Sequence, residues 1–378
     1  MTALNPSAGI PDPIPVLGFG LTPLVPESDA VLDELVFDAV SAALSEAGVR
    51  KHEIGLTVTA SMDIYDGRSI SSGLTNAASG GYLAESYRIE GDLGQAIIAA
   101  AQAIAAGDAD LAVAVGVYNP EVSAPDRRAF LEQVSNYAFE PHFDRPVAMT
   151  ADTVFGLHAN RLLAEGTVSE TELAELAATF ITRGSGNVRA ARGPVDATAV
   201  AAAPLISGAL TELMLPVETT GAVAVVLGSL ARSRRALRPR AVLTGWGQAT
   251  ADTTASGQWL IDPGVATRRA AQEAYARAQI AVAADVVEVA EITAATPALI
   301  APVLSALALS DTDVAVCPSG GVGSCYPGLA NGGLRLLEAV SWLEAAGGQR
   351  RRTGVAHSTE LLTGSVSDTA TVFVLESV

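Results

Sequence analysis

The chain is poor in the residues that would make it a disulfide-linked or zinc-binding protein. It has only two cysteines, Cys317 and Cys325, in 378 residues. Two cysteines are too few for a disulfide framework, and their spacing matches no zinc motif. We expect both thiols to be reduced and at least one of them to be a small residue of the core.

Basic residues are also scarce. The 23 Lys and Arg residues stand against 41 Asp and Glu residues, which gives a formal net charge of −18. Nucleic acids and anionic membrane surfaces are bound through clustered Lys and Arg side chains. The charge balance therefore argues against a nucleic-acid partner and against an anionic membrane surface, and an anionic ligand would need a local basic patch.

Long apolar runs and a secretory leader are missing as well. Apolar stretches such as 96–106 and 299–309 are shorter than the roughly 18 residues that cross a membrane. The first 17 residues include Pro and Asp but no basic start and no apolar centre, so they are not a signal peptide. The sequence predicts a cytoplasmic protein with no membrane span.

Small aliphatic residues are abundant, and their periodicity predicts alternating helices and strands. Continuous apolar runs such as 110–117 are typical of strands in parallel sheets that are buried on both faces. The predicted helices are 31–46, 93–106, 266–278 and 297–309. The predicted strands are 54–60, 110–117, 219–229, 286–292, 313–317, 354–359 and 369–375.

The two halves of the chain repeat the same order of elements. Residues 45–61 parallel 276–292, and residues 107–116 parallel 310–319. Two copies of one βαβ-rich unit predict a layered α/β fold with pseudo-twofold symmetry, unless alanine-rich units look alike by chance. We place one half at 1–237, with a helical insertion at about 118–204, and the other at 238–378.

Several segments together resemble the thiolase superfamily, most closely its sterol-carrier-protein type. They are residues 90–117, 156–178, 213–229 and 318–340. The resemblance covers nearly the whole chain and implies a five-layered αβαβα fold and a dimer. It also implies a coenzyme A thioester as substrate, no tightly bound cofactor, and an active site between the halves where helix N-termini meet.

The chain departs from the family at its reactive positions. Glu90 stands where the resemblance places the nucleophilic cysteine, Thr293 replaces a His or Asn, and Tyr326 replaces the His of a Gly-His-Pro segment. Glu90 has no thiol, so an acyl thioester on the usual nucleophile is excluded.

Tyr326 is the leading candidate for chemistry. It lies in a glycine-rich turn in which Gly320 and Gly321 allow a ligand to approach the backbone closely. Some thiolase-like proteins without the cysteine keep a Tyr here and act as retro-aldolases, so the resemblance implies a general acid or base. The alternative is that Tyr326 only fills the space of the lost His. His357 is a further acid–base candidate, whereas its neighbour Ser358 would point to the opposite face of a strand.

Carboxylates and a thiol give further candidates. Glu90 and Asp92 precede the predicted helix at 93–106, where they would either cap its N-terminus or orient a substrate. Cys325, next to Tyr326, would carry an acyl group only if its pKa were lowered.

A basic patch in the insertion is the candidate binding site for coenzyme A. Arg183, Arg189 and Arg192 lie close together in an otherwise acidic sequence, and guanidinium groups suit phosphate. A solvated basic loop is the alternative interpretation.

Three functions remain open at this point. The first is a C–C lyase that cleaves a β-hydroxyacyl-CoA, for which the resemblance implies steroid-type substrates and a small partner with OB-fold and zinc-ribbon parts. The second is an acyltransferase that uses another nucleophile or none, and the third is a non-catalytic thiolase-like subunit.

Overall fold

The computed structural model describes residues 12–66, 71–81, 84–120, 126–236, 238–251, 258–347, 350–361 and 369–378. Residues 1–11, the proposed boundary at 237 and residues 362–368 lie outside these ranges. The division into halves at 237 stays a prediction. Within the described ranges, no helix is long and apolar enough to cross a membrane.

The elements alternate as the periodicity predicts. The strands are β1 (Ile14–Leu21), β2 (Leu56–Ala60), β3 (Glu85–Ile89), β4 (Leu111–Tyr118), β5 (Leu205–Ser207), β6 (Leu210–Thr211), β7 (Gly221–Gly228), β8 (Ala241–Thr250), β9 (Val287–Glu291), β10 (Ala315–Val316), β11 (Thr353–Thr359) and β12 (Thr369–Ser377). The helices are α1 (Leu32–Ala47), α2 (Asp63–Asp66), α3 (Ser71–Ala78), α4 (Leu93–Ala106), α5 (Arg127–Tyr137), α6 (Ala151–Ala164), α7 (Glu170–Gly184), α8 (Ala197–Ala202), α9 (Leu230–Ala236), α10 (Gln258–Ile261), α11 (Val265–Arg277), α12 (Pro297–Ala306) and α13 (Asn331–Ala345).

Among the described residues, ten strands form one mixed sheet in the order β10-β9-β11-β12-β8-β1-β7-β4-β2-β3. The order is symmetric about its middle, where β1 and β8 pair antiparallel. On one side β2 runs parallel to β3 and β4, and on the other β9 runs parallel to β10 and β11. The two sides therefore have the same topology, as a pseudo-twofold fold requires.

Buried side chains divide the fold into five layers. Along β4, Leu111 and Val113 pack with α1 on the outer face, while Ala112 and Ala114 pack with α4 on the inner face. The inner cluster also contains α13 and strands of the second side, and a further cluster joins that side to α11 and α12. The predicted αβαβα architecture is confirmed, with α4 and α13 as its central layer.

The internal repeat is confirmed in one part and wrong in another. β2 and β9 occupy equivalent places, in agreement with the match between 45–61 and 276–292. The topology makes β11 the equivalent of β4, and β10 the equivalent of β3. The expected match between strands 110–117 and 313–317 is therefore incorrect. A short apolar run looks the same in the middle of a sheet as at its edge, where β10 has only two residues.

Paired glycines support the correct match of the two halves. A Cβ added at Gly20 in β1 would lie 2.0 Å from the carbonyl oxygen of Ala39 in α1. A Cβ added at Gly247 in β8 would lie 2.1 Å from the carbonyl oxygen of Ala270 in α11. In both halves the outer helix therefore packs directly on the backbone of a glycine-containing strand.

These contacts predict that Gly20→Ala and Gly247→Ala each lower the free energy of unfolding. Overpacking typically costs about 1–3 kcal/mol, and backbone atoms cannot move aside as a side chain can. Urea unfolding would measure the loss, with Gly193→Ala as control because open space surrounds that glycine. The control should stay within about 0.5 kcal/mol of wild type. Unchanged midpoints for both test variants would contradict the close packing.

Candidate active site

A cleft of about 700 Å³ is lined by α5, α6, the segment 212–218, Tyr326 and Leu361. Tyr326 lines it although only 1% of its surface is exposed, so this residue forms the floor of the cleft. The volume lies in the range of small-molecule binding sites. The sequence-based candidate Tyr326 is therefore at the floor of a cavity large enough for a ligand.

Hydrogen bonds hold Tyr326 on both its main chain and its side chain. Its N–H donates to Val217 O at 2.9 Å, and its carbonyl accepts from Thr219 N at 2.9 Å. Its hydroxyl accepts from the N–H of Leu361 at 3.2 Å. Burial, and then the charges of Glu360 and Asp92, raise the pKa of Tyr326 well above its usual value. The phenol is therefore protonated near neutrality, which makes it a proton donor in its resting state.

A buried ion pair fixes the glycine-rich turn that precedes Tyr326. Arg335 and Glu291, exposed by 1% and 0%, approach to 3.1 Å. Glu291 also accepts from the backbone N–H and the hydroxyl of Ser319. Within the turn, Gly320 N donates to Cys317 O and Gly321 N donates to Ser319 Oγ.

These contacts bear on the expectation that a ligand approaches the backbone at Gly320 and Gly321. Because the N–H groups of Gly320 and Gly321 are used inside the turn, neither is presented to a thioester oxygen. The two glycines border a separate cavity of only about 40 Å³ beside Cys317. The turn positions Tyr326 but does not itself form part of the cleft.

Asp92 lies where the two central helices begin. It is the N-cap of α4, and its carboxylate accepts from Gly94 N at 2.8 Å and from Gly332 N, in the first turn of α13, at 3.0 Å. Burial raises its pKa to about 6, although both N–H groups act against this. The capping interpretation is thus supported, and the meeting point of the helix N-termini holds a carboxylate of the chain itself.

Glu90 is separate from this arrangement. Its side chain is 58% exposed and forms an ion pair with Arg88, next to the edge strand β3. Asp92, two residues later, is 2% exposed. Of the two carboxylates that the sequence singled out, only Asp92 is brought close to Tyr326.

His357 belongs to a buried network of hydroxyl and amide groups. Its Nδ1 accepts from Thr293 N at 3.3 Å, and its Nε2 lies 3.0 Å from Thr267 Oγ1. Asn331 Nδ2 donates to Thr293 Oγ1 and to Ser358 Oγ. Because Nδ1 accepts, the ring proton is on Nε2 and is donated to Thr267. Both ring nitrogens therefore have partners inside this network, and neither is bonded to Tyr326.

Neither cysteine reaches the cleft. Cys325 lies in the central apolar cluster with its Sγ 3.5 Å from Thr219 Oγ1, and burial raises its pKa. Burial also raises the pKa of Cys317 to about 12, and its Sγ accepts from Ile292 N. The environment needed for a reactive thiolate is absent at both thiols.

The three arginines of the insertion have different surroundings. Arg189 forms a bidentate pair with buried Glu338, at 2.6 and 2.7 Å. Arg183 donates to Val316 O and lies over the ring of Phe180. Arg192 lines the cleft, where its nearest acceptor, Leu215 O, is 3.4 Å away. The structure therefore separates the predicted patch and leaves Arg192 as the member that faces the cleft.

Sequence reasoning missed other buried groups near Tyr326. Tyr65 and Tyr118 are fully buried, with ring centroids 5.8 Å apart, in the same cluster as Tyr326. Glu360, just after β11, is 7% exposed and its charge raises the pKa of Tyr65 and of Tyr326. The available signal was positional, because Tyr118 and Glu360 stand at the carboxyl ends of equivalent strands, β4 and β11.

No family model matches the sequence, and no curated protein is similar to it. Solved structures show the same fold over almost the whole chain. One is the Ltp2–ChsH2(DUF35) aldolase, with a TM-score of 0.76, 18% identity, and 97% of this chain and 98% of that chain covered. Another is the human mitochondrial 3-ketoacyl-CoA thiolase in complex with CoA, with a TM-score of 0.75, 17% identity, and 98% and 99% covered. The expected thiolase-like fold is thereby confirmed.

The buried imidazole gives a prediction for stability against pH. Burial lowers the pKa of His357 to about 3, below the value of about 6.5 expected in the unfolded chain. Protonation therefore favours unfolding, so this contribution is complete above about pH 6.5 and is lost as the pH falls toward 3. His357→Gln should make the decline of stability between pH 6.5 and 4 shallower, by up to about 1.4 kcal/mol per pH unit.

Urea unfolding at several pH values would measure this slope. Other buried groups with shifted pKa values act in the same window and are present in both proteins. The pKa of His158 is lowered to about 4, so this residue, like His357, makes the protein less stable as the pH falls. The pKa of Asp92 is raised to about 6, so its contribution to the free energy of unfolding changes with pH in the opposite direction. His52→Gln removes an exposed histidine and is the control. An equal slope in wild type and His357→Gln would show that the imidazole is not buried in its neutral form.

Proposed function

We propose that the protein is a carbon–carbon lyase that cleaves a β-hydroxyacyl-CoA thioester by a retro-aldol reaction. The observation that carries the proposal is the floor of the cleft, where the protonated phenol of Tyr326 stands and neither cysteine has access. A retro-aldol step needs proton transfer and stabilisation of an enolate, but it needs no acyl-enzyme.

Tyr326 fits the part of the acid in this chemistry. When the bond between the α- and β-carbons breaks, negative charge develops on the thioester enolate. A buried phenol gives a hydrogen bond and then a proton to that charge, in a site from which water is largely excluded. The pKa of Tyr326 is raised, so the hydroxyl carries its proton when the substrate binds.

Arg192 is the proposed contact for an anionic part of coenzyme A. Two other arginines of the cleft already have carboxylate partners, since Arg127 pairs with Glu218 at 3.6 Å and Arg128 with Glu132 at 3.0 Å. Burial lowers the pKa of Arg192, and a bound phosphate would offset that cost. The apolar lining, Leu131 and Phe155 among it, suits a bulky acyl chain, for which a steroid-derived side chain is one source.

The proposal also covers the oligomeric state of the protein and its partner. One neighbour of this fold is an aldolase described together with a ChsH2(DUF35) component. We expect the present chain to act as a dimer in the cytoplasm and to receive its substrate from a small acyl-CoA-binding protein with OB-fold and zinc-ribbon parts. Co-expression with such a protein is therefore one arm of the activity tests below.

The other two functions have less support. An acyltransferase that forms an acyl-enzyme on a thiol would need Cys325 or Cys317, and burial raises the pKa of both thiols. Incubation with acetoacetyl-CoA and free CoA should therefore give no thiolysis and no acyl-enzyme. A scaffold subunit would stabilise a partner while cleaving none of the substrates tested.

Arg192→Ala should weaken the binding of CoA thioesters by about tenfold or more. A charge-assisted hydrogen bond contributes roughly 1.5–3 kcal/mol, and about 1.4 kcal/mol corresponds to a factor of ten. Calorimetry with acetyl-CoA would measure the change. Arg161→Ala, which removes an arginine paired with Glu165 outside the cleft, is the control. Equal affinities for wild type and Arg192→Ala would exclude this contact.

Tyr326→Phe should lower kcat by about 100-fold or more while leaving CoA affinity unchanged, because only the hydroxyl is removed. The substrates would be CoA thioesters of 3-hydroxy-3-methyl acids, from 3-hydroxy-3-methylbutanoyl-CoA to steroid-sized chains. Acetyl-CoA and the released ketone are the products to measure, with and without the co-expressed partner.

Tyr137→Phe is the matched control, because that tyrosine is 48% exposed and should tolerate the change. Wild-type turnover in Tyr326→Phe would remove the phenol from the mechanism. A wild-type protein that is inert in every arm but required for the stability of its partner would favour the scaffold function.

A further inference from the structure

One wall of the cleft is formed by α5 and α6, and Asp152 is part of it. Leu131 of α5 and Phe155 of α6 line the same wall. Asp152 is half-buried, and Phe155 is buried. Because Asp152 and Phe155 are three residues apart on one helix, their side chains lie on the same face. A carboxylate therefore stands beside the apolar surface that the proposed acyl chain would cover.

The carboxylate of Asp152 has no partner within the protein. Among the described residues, it forms neither a hydrogen bond nor an ion pair. Arg128, whose charge acts on Asp152, is bound to Glu132 at 3.0 Å instead. The nearby hydroxyl of Ser135 is also in use, since its Oγ accepts from Ala151 N at 2.8 Å. The oxygen atoms of Asp152 are thus left for water or for a ligand.

The other carboxylates that line the cleft differ from Asp152. Glu218 is half-buried, but it pairs with Arg127 at 3.6 Å. The remaining ones are exposed, namely Glu27, Asp126, Glu132 and Glu212. Burial raises the pKa of Asp152 above its usual value, although the charge of Arg128 acts against this. A carboxylate that is partly desolvated without a partner is costly to the fold, which indicates that the position serves a ligand.

Asp152 stands apart from the phenol at the floor of the cleft. The charges that mainly raise the pKa of Tyr326 belong to Glu360 and Asp92, and not to Asp152. Both Tyr326 and Asp152 nevertheless line one cavity of about 700 Å³, which is large enough for an extended ligand to reach both. Asp152 is therefore suited to a group that is remote from the reacting carbon atoms.

We infer that Asp152 forms a subsite for a hydroxyl group on the acyl chain, remote from the bond that is cleaved. The carboxylate accepts a hydrogen bond from that hydroxyl, while Leu131 and Phe155 contact the carbon atoms beside it. A site of this kind rejects chains without the donor, because the carboxylate is then left unpaired. The inference rests on the acyl-CoA substrate proposed above and narrows it to hydroxylated chains.

The test measures the affinity of ω-hydroxyacyl-CoA thioesters by calorimetry. Octanoyl, dodecanoyl and hexadecanoyl chains place the hydroxyl at different distances from the thioester. Each is compared with the unsubstituted chain and with the ω-methoxy chain, which keeps the oxygen but cannot donate. At one of these lengths, wild type should bind the hydroxy chain about tenfold or more tightly than the methoxy chain, as a hydrogen bond to a charged group allows.

Two variants remove the acceptor. Asp152→Asn should reduce the preference for the hydroxy chain, and Asp152→Leu should reverse it in favour of the unsubstituted chain. Both variants should fold, because no other group loses a partner. Asp33→Asn is the matched control, since Asp33 is also the second residue of a helix but is exposed on α1, outside the cleft. The control should keep the wild-type preference.

Acetyl-CoA distinguishes the acyl chain from coenzyme A as the source of the donor. Its affinity should be unchanged in Asp152→Asn, because the acetyl group is too short to reach the subsite. An equal loss of affinity for acetyl-CoA and for the hydroxy chains would assign the carboxylate to coenzyme A and overturn the subsite.

The outcomes separate the subsite from the lyase function. A preference for hydroxy chains that depends on Asp152 supports the subsite even if wild type cleaves no thioester. Cleavage of 3-hydroxy-3-methylbutanoyl-CoA by a wild type without such a preference at any length would keep the lyase function and overturn the subsite. A wild type that binds none of the longer thioesters would overturn the subsite as well.

Discussion

Two helix N-termini meet inside this molecule, and a buried carboxylate satisfies both. The first turns of α4 and α13 each carry N–H groups without partners in their own helix, and no solvent reaches them. Asp92 accepts from one N–H of each helix. A Cβ at Gly332 would lie 2.2 Å from that carboxylate, so the close approach of the helices also requires glycine. The central layer, and the two half-sheets that pack on it, depend on this contact.

The contact of Asp92 with the two helices also determines whether their N-termini can bind a ligand. Helix N-termini attract anions, but here the chain supplies its own anion to that position. The network of Asn331, Thr293 and His357 continues the packing behind it and uses both nitrogens of the imidazole. The hydroxyl of Tyr326 lies outside this network, at the floor of the cleft.

The charged side chains divide into those that hold the structure together and those that line the cleft. Buried ion pairs, Arg335 with Glu291 and Arg189 with Glu338, hold the glycine-rich turn and the insertion against the sheet. Breaking such a pair leaves a buried charge without a partner, which is costly. These arginines therefore belong to the framework, although in sequence Arg189 looks like a ligand-binding residue. Of Arg189 and Arg192, only Arg192 lines the cleft.

The sequence by itself determined the fold class and the place of Tyr326. Periodicity predicted the helices and strands, because apolar residues must face the core at the repeat of each element. The segments that resemble thiolases placed the tyrosine in a turn between a strand and a helix. The sequence alone could not tell that β11, and not β10, is the equivalent of β4. A short apolar run predicts a strand but does not indicate which strands lie beside it.

Only the tertiary structure decided which groups lie together. Tyr65, Tyr118 and Tyr326 are far apart along the chain, and only the packing of distant segments brings them into one cluster. The tertiary structure also decided the roles of Asp92, His357 and Arg189. The partners and the burial of a side chain determine its protonation state and whether it can contact a ligand. Those quantities depend on contacts between distant segments, which no local pattern of residues contains.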